Sequence, residues 1–184
     1  MDLLLDILGV LLILAVLAAL AVRLYFARQG NCKFVFLVSE RSGFKLTSLT
    51  KESATFVTVI PFANKGTQDG TIVDLFPRHL LPQEQFDAVK TESYLAHADF
   101  DRADGYWEAM IIPFGTGGKI KLTVKFTAKE GDIVSALAGM VDMPIELICQ
   151  TVGRSYWQLG KTRLIMPKEE VKEQLKEMKE TSVA

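Results

Sequence analysis

The stretch Lys119–Lys129, KIKLTVKFTAK, decides the fold of most of this chain. Its apolar residues Ile120, Leu122, Val124 and Phe126 alternate with Lys and Thr. Successive side chains of a β-strand point to opposite faces, so this alternation predicts a strand with one face in a hydrophobic core and the other in water.

Shorter runs rich in β-branched and aromatic residues lie on both sides of this strand, separated by Gly, Asn, Asp and Pro. They cover residues 33–39, 44–49, 55–62, 71–76, 106–114, 145–152 and 156–166. About seven to nine such strands at this spacing predict an antiparallel β-sandwich of immunoglobulin-like size. The Cys…Trp…Cys pattern of antibody domains is absent, so the prediction concerns architecture alone.

Three segments interrupt the series of strands. Pro61 lacks a backbone donor and is expected to end its strand or form a bulge at a sheet edge. Residues 77–98 place apolar residues at roughly helical intervals, which predicts a short helix or structured loop crossing between sheets. Residues 133–141 are apolar and fit either a helix or a strand.

A separate apolar segment precedes the strands: Ile7–Phe26, ILGVLLILAVLAALAVRLYF. A helix over residues 7–27 would be about 31 Å long, which matches the bilayer hydrocarbon core. Residues 1–28 are therefore predicted to be a single transmembrane anchor, with Arg23, Tyr25 and Arg28 at the membrane interface.

Two further possibilities remain open for this segment. The small residues at 19–21 fit a signal-peptide cleavage site, although the start MDLLLD is acidic and the apolar run is longer than a signal peptide needs. Ala15 and Ala19 form a small-xxx-small pair that would allow a homodimer through the membrane helix.

Charge around the anchor predicts its orientation. Asp2 and Asp6 precede the helix, whereas Arg23, Arg28 and Lys33 accompany its end. Flanks rich in Lys and Arg stay in the cytoplasm, so the domain at residues 29–166 is predicted to be cytoplasmic rather than extracytoplasmic.

Composition narrows the function classes. The formal net charge is −1, which argues against a nucleic-acid-binding surface. Cys32 and Cys149 are the only cysteines and form no CxxC pair. We expect two reduced thiols, with a disulfide between them as the alternative if the domain lies outside the cell.

The C-terminal residues 167–184, PKEEVKEQLKEMKETSVA, form a charged helical tail. Val171, Leu175 and Met178 make an apolar stripe at spacings of four and three. The favoured interpretation is a solvated helix fraying from the domain, because so short a helix is marginal alone. The alternative is a docking helix or short coiled coil.

The strongest pattern for chemistry is HADFDRADG, with His97, Asp99, Asp101 and Asp104 as weak candidates for a metal site. Alternate oxygen ligands are typical of Ca²⁺ sites, but the spacing departs from the EF-hand loop, which favours an acidic solvated loop. The Gly-rich stretch at 114–119 lacks phosphate-loop spacing and leads into a strand, so it predicts a hairpin turn. No catalytic residue and no cofactor is predicted.

The predicted strands at residues 145–152 and 156–166 are expected to form a hairpin. Arg154, Tyr156 and Trp157 cluster at its loop, and these residue types are enriched at protein-binding hot spots. They are the candidate partner-binding residues. The sequence thus predicts a membrane-anchored, non-catalytic β-sandwich acting as an interaction or scaffold module for an unidentified protein partner. The alternatives are a lipid-binding or small apolar ligand-binding module at the membrane surface and, less favoured, a metal-dependent hydrolase.

Overall fold

The computed structural model describes residues 2–100, 105–154 and 156–181. In chain order the helices and strands are α1 (Asp2–Arg28), β1 (Phe34–Phe36), a 3₁₀ turn (Val38–Glu40), β2 (Lys45–Leu49), β3 (Ser53–Asn64), β4 (Gly70–His79), β5 (Val89–His97), β6 (Met110–Ile112), β7 (Gly117–Ala128), α2 (Ile133–Leu137), β8 (Met143–Val152), β9 (Gln158–Met166) and α3 (Lys168–Thr181).

The strands form two antiparallel sheets. Sheet A has the order β1-β3-β7-β5, with β2 also paired to β3, and sheet B has the order β6-β4-β8-β9. Side chains from both sheets form one hydrophobic core. The predicted fold class is confirmed: an antiparallel β-sandwich lies between an N-terminal apolar helix and a short C-terminal helix.

Strand β7 occupies the position that its alternation predicts. Ile120, Leu122, Val124 and Phe126 are completely buried, and β7 pairs along its length with β3 on one side and β5 on the other. Long strands on both sides protect its backbone, so β7 is an interior strand of sheet A.

The sandwich has two distinct ends. At the helix-proximal end, where α1 leads into β1, Phe34 pairs with Asn64 at the end of β3, and the start of β7 at Gly117 lies opposite Ala63. The helix-distal end contains the turns before β3 and after β7. Strand β7 has 12 residues, and its first and last Cα atoms lie about 36 Å apart at ~3.3 Å per step. This length separates the two ends.

Helix α1 projects from the sandwich, and none of its described side chains is buried against it. Residues 6–28 are exposed throughout, and Asp6–Arg28, with mean hydropathy 2.8, is long and apolar enough to cross a membrane. The helix therefore contributes no side chain of this stretch to the core of the domain.

The prediction that Pro61 would end its strand or form a bulge at a sheet edge is wrong. Strand β3 continues through Pro61 to Asn64, in unbroken register with β7. The Pro61 carbonyl accepts a hydrogen bond from Leu37 N at 2.8 Å, just beyond the end of β1. Carbonyl and N–H of one strand residue point to the same side, so the missing donor of Pro61 faces the place where pairing with β1 has stopped.

Of the two structures predicted for residues 77–98, the helix is wrong, and the loop that crosses between the sheets is confined to residues 80–88. Strand β4 extends to His79, and β5 begins at Val89 as an edge strand of sheet A. Pairing with nine consecutive residues of β7 outweighs the helical spacing of Phe86, Val89 and Tyr94, because tertiary contacts override local preference. The intervening loop carries the crossover between the sheets.

The C-terminal helix docks on its own domain, contrary to the interpretation of a solvated, fraying tail. Val171 and Leu175 are buried in the core, while Met178 remains 39% exposed. Glu170 accepts hydrogen bonds from Phe44 N at 2.8 Å and from Arg41 at 2.7 Å. These contacts supply the stabilisation that a helix of 14 residues lacks by itself.

Candidate interaction surface at the helix-proximal end

Asn64 organises the helix-proximal end from a buried position. Its Oδ1 accepts hydrogen bonds from Lys33 N at 3.0 Å and Gly66 N at 3.1 Å. Its Nδ2 donates to the carbonyls of Gln68 at 2.9 Å and Ile112 at 3.1 Å. One side chain, 1% exposed, thus joins the segment after α1, the β3–β4 turn and strand β6 with its amide fully satisfied.

The C-terminal end of α1 is capped by side chains from the sandwich. Arg154 Nη1 donates to the Phe26 carbonyl at 3.0 Å, and its guanidinium lies 4.8 Å from the centre of the Phe26 ring. Thr67 Oγ1 and Gln68 Nε2 donate to the Gln29 carbonyl at 2.8 and 3.2 Å. The last carbonyls of a helix lack internal partners and carry partial negative charge, so an arginine and two further donors stabilise this end.

Two glycines permit this close approach. Gly30 directly follows the helix end with a φ of +69°, where a Cβ would lie 2.2 Å from Thr67 Oγ1. A Cβ on Gly153 would lie 2.2 Å from Asn31 Oδ1, the oxygen that accepts the Arg154 backbone N–H at 2.9 Å. Phe26 and Asn31 contact the β8–β9 loop, and Gln29 contacts the β3–β4 turn. We call these contacts the junction. They attach α1 directly to the sandwich, without a free linker.

Exposed aromatic side chains lie in the loops at this end of the sandwich. The loops of the helix-proximal end carry Phe100, Tyr106, Phe114, Tyr156 and Trp157, with exposed fractions from 57% to 92%. The helix-distal loops in the described part of the chain contain one aromatic residue, Phe86, which is buried. The two ends of the sandwich therefore differ in their exposed apolar surface.

The candidate partner-binding residues are split by the structure. Arg154 contacts the helix end, whereas Tyr156 is 92% exposed and Trp157 64% exposed in the β8–β9 loop. Phe114, in the β6–β7 loop at the same end of the sandwich, donates its backbone N–H to Asp69 at 2.9 Å. Sequence reasoning did not single out Phe114; its setting between Pro113 and Gly115 marks an exposed turn.

The candidate membrane-interface residues lie on the last turns of α1. Arg23, Tyr25 and Arg28 are all exposed, and the Tyr25 ring lies 5.8 Å from that of Phe26. They therefore surround the same helix end that Arg154 caps. Their role at a bilayer interface stays a prediction.

Two of the four candidate metal ligands are described. His97 Nδ1 accepts the Asp99 backbone N–H at 3.2 Å, and the Asp99 carboxylate lies 3.6 Å from the same nitrogen. Asp101 and Asp104 lie outside the described residues. Within the described part of the chain, no three His, Cys, Asp or Glu side chains cluster as metal ligands would.

The other histidine lies far from this loop. His79 ends β4 at the helix-distal end, where its Nδ1 lies 3.0 Å from Ser93 Oγ, while His97 ends β5 at the opposite end. Burial lowers the pKa of His79. His97 instead borders a cleft of about 280 Å³ with Phe100, Tyr106 and Trp107, which is smaller than typical ligand pockets.

Both thiols are free and buried. Burial raises the pKa of Cys149 to about 12, with the charge of Asp74 acting in the same direction. Burial also raises the pKa of Cys32, although a backbone hydrogen bond opposes the change. Because the thiolate is the reactive form, these thiols are poor nucleophiles in the folded chain.

Strand β9 presents an open edge. No described strand pairs with its outer side, and it exposes Leu159 at 73% and Ile165 at 51%. Lys161 and Arg163 bind Glu146 on β8 at 3.1 and 2.6 Å. An unpaired edge with exposed apolar side chains can accept a further strand.

Comparison with known proteins finds similarity in structure but not in sequence. No family model matches the sequence, and no curated protein matches it. The structure is similar to the GAE domain of yeast GGA1, with 12% identity, coverage of 73% of this chain and 99% of that chain, and a TM-score of 0.36. It is likewise similar to the GAE domain of GGA2p from Saccharomyces cerevisiae, with 8% identity, coverage of 74% and 98%, and a TM-score of 0.36. Neither likeness identifies a family for this chain.

Proposed function

We propose that this chain is a single-pass membrane protein whose β-sandwich is a non-catalytic interaction module in a membrane-associated assembly. The observation that carries the proposal is the contrast between α1, apolar and exposed from residue 6 to residue 28, and the well-packed sandwich to which the junction ties it. An apolar helix uncovered on every side needs lipid or other helices around it. The small residues Ala15 and Ala19 allow a second copy of α1 as one such neighbour.

The open edge of β9 supports the assignment of an interaction role. Edge strands are normally protected by charge, proline or a covering segment. Lys161 and Arg163 give this edge partial protection, and Arg41 donates to the Ile165 carbonyl at 3.5 Å. Leu159 and Ile165 leave apolar surface beside these charges, which suits a partner that adds a strand or packs an apolar side chain. The sandwich is placed in the cytoplasm in this proposal, because Arg23, Arg28 and Lys33 lie on its side of α1.

Membrane topology is tested by introducing Glu130→Cys at the exposed helix-distal turn and labelling intact cells with a membrane-impermeant maleimide. The unmodified chain is the matched control, because its buried thiols should not react while folded. Protection until the membrane is opened supports the cytoplasmic placement. Labelling in intact cells overturns it, and labelling of a chain that alkaline carbonate releases overturns the anchor itself.

The interaction role is tested by a photo-crosslinking amino acid at Leu159, with the exposed turn residue Glu52 as the control position. A partner that crosslinks at Leu159 and not at Glu52, and is lost on Ile165→Lys, supports recognition through β9. Equal crosslinking at both positions, or none at either, contradicts it.

A further inference from the structure

The junction fixes the height of the β8–β9 loop relative to a bilayer that holds α1. The apolar run Ile7–Phe26 is about 30 Å long as a helix, so Phe26 lies at the hydrocarbon boundary when α1 spans the membrane. Arg154 contacts both the carbonyl and the ring of Phe26. Its guanidinium therefore lies at the level of the lipid headgroups, where arginine pairs with phosphate.

The position of Arg154 also limits how far Tyr156 and Trp157 can lie from the headgroups. A chain extends at most about 3.6 Å per residue, so Tyr156 lies within roughly 7 Å of Arg154 and Trp157 within roughly 11 Å. The headgroup region beside the hydrocarbon core is about 5–8 Å deep on each side. The β8–β9 loop therefore lies beside the headgroup layer, within reach of the long side chains of Tyr156 and Trp157.

A second loop reaches the same level. Gln29 is held by the β3–β4 turn through Thr67 and Gln68, and the next residue of that turn, Asp69, accepts the Phe114 backbone N–H. Phe114 is 62% exposed. Two separate loops thus present aromatic side chains beside one helix end, whereas the helix-distal loops in the described residues present none.

We infer that Phe114, Tyr156 and Trp157 form a bilayer-contact surface that seats the sandwich on the lipid headgroups around α1. The inference rests on the proposed membrane anchor and adds a second membrane contact to it. Tyr and Trp favour the interface, since each has an apolar ring and a polar tip that stays hydrated. Arg28, Lys33 and Arg154 lie at this end together with Asp69 and Asp99, so charges of both signs face the headgroup layer and the contact depends on the aromatic rings.

This assignment differs from a protein-binding role for the same residues. A protein partner would have to enter between the sandwich and the bilayer beside the attached helix end. The lipid surface needs no such opening, because α1 already delivers the loops to it.

The two tryptophans provide the test, because Trp107 is 4% exposed and Trp157 is 64% exposed. The full chain is reconstituted into phosphatidylcholine vesicles whose acyl chains are either unlabelled or brominated near the glycerol. Trp107→Phe leaves Trp157 as the fluorophore, and Trp157→Phe leaves Trp107 as the matched control. We expect brominated lipid to remove most Trp157 emission and to leave Trp107 emission nearly unchanged.

A parallel comparison guards against misfolding of the Trp107→Phe variant, because the Trp107 indole donates to the Ile72 carbonyl in the core. The quenchable part of the unmodified chain's emission should disappear in Trp157→Phe. If the chain resists carbonate extraction and Trp157 is not quenched, the bilayer contact is wrong while the anchor stands. If carbonate extracts the chain, the membrane anchor is wrong, and the bilayer contact that depends on it is wrong as well. Trp157 that is unquenched in vesicles yet crosslinks to a protein in cells assigns the loop to a protein partner.

Discussion

Two helices flank the same sandwich, and their surroundings are opposite. Helix α1 has 27 residues and is exposed wherever its side chains are described. Helix α3 has 14 residues, and its Val171 and Leu175 are buried in the domain core. The longer and far more apolar helix is therefore the one that the domain does not cover.

The comparison shows that sequence pattern determines the kind of surface a helix needs. The stripe of α3 is narrow and the sandwich can cover it, with Glu170 and Gln174 bonded to Phe44 and Leu46 of the neighbouring edge. The apolar surface of α1 extends all round the helix, and one side of a folded domain cannot cover it. Substitutions in the two helices should consequently affect different properties of the protein.

The largest effect is expected in α1. Leu14→Arg combined with Leu17→Arg places two charges at the middle of the span, at a cost of about 5–7 kcal/mol for insertion. We expect the chain to be released by alkaline carbonate while the thermal unfolding of the sandwich is unchanged. Leu14→Ala with Leu17→Ala is the control that stays in the membrane. A shift in the unfolding temperature of the arginine variant would show that α1 does support the domain.

An intermediate effect is expected in α3. Leu175→Ala removes a side chain that is 6% exposed, and core truncations of this kind cost about 2–5 kcal/mol. We expect a lower free energy of unfolding in urea with detergent-solubilised protein, and unchanged membrane retention. Met178→Ala on the exposed side of α3 should change the stability by less than about 1 kcal/mol. Equal losses for the two variants would contradict docking through the buried stripe.

The smallest effect is expected for the polar contacts of α3 and depends on pH. Burial alone would raise the pKa of Glu170, but hydrogen bonds from Arg41 and the Phe44 N–H lower it overall. The folded state thus favours the charged form, so its contribution is complete above the ordinary pKa and is lost as pH falls through the lowered one. We expect Glu170→Gln to cost about 1.5–3 kcal/mol at neutral pH and less in acid, measured by urea unfolding at several pH values. A loss that is constant with pH would rule out the charge as its cause.

Features that depend only on residues adjacent in the sequence could be predicted. The strict alternation of β7 and the uniform apolarity of α1 each specify one environment, and the structure has both. The predictions for Pro61 and for Val89–His97 were wrong because each depends on a partner strand. Pro61 has no backbone N–H, and this leaves no ladder hydrogen bond unmade because β1 ends before it. Residues 89–97 form a strand because they pair with the otherwise open side of β7.

The candidate surface could be predicted only in part for the same reason. Arg154, Tyr156 and Trp157 stand out by residue type, but their closeness to Phe26 follows from the folding of the two sheets. Asn64 is a residue type that favours turns, and nothing local indicates that its amide joins three segments. The aspartates at 101 and 104 lie outside the described residues, so the metal hypothesis stays a prediction.

The cap on α1 also sets an order of events during biosynthesis. Arg154 is 128 residues from the Phe26 carbonyl that it caps, and a ribosome adds about 5–20 residues per second. The helix is therefore made roughly 6–26 s before its cap exists. Through that interval the Phe26 carbonyl must rely on water, lipid headgroups or the translocation machinery, and the junction is complete only when the β8–β9 hairpin has formed.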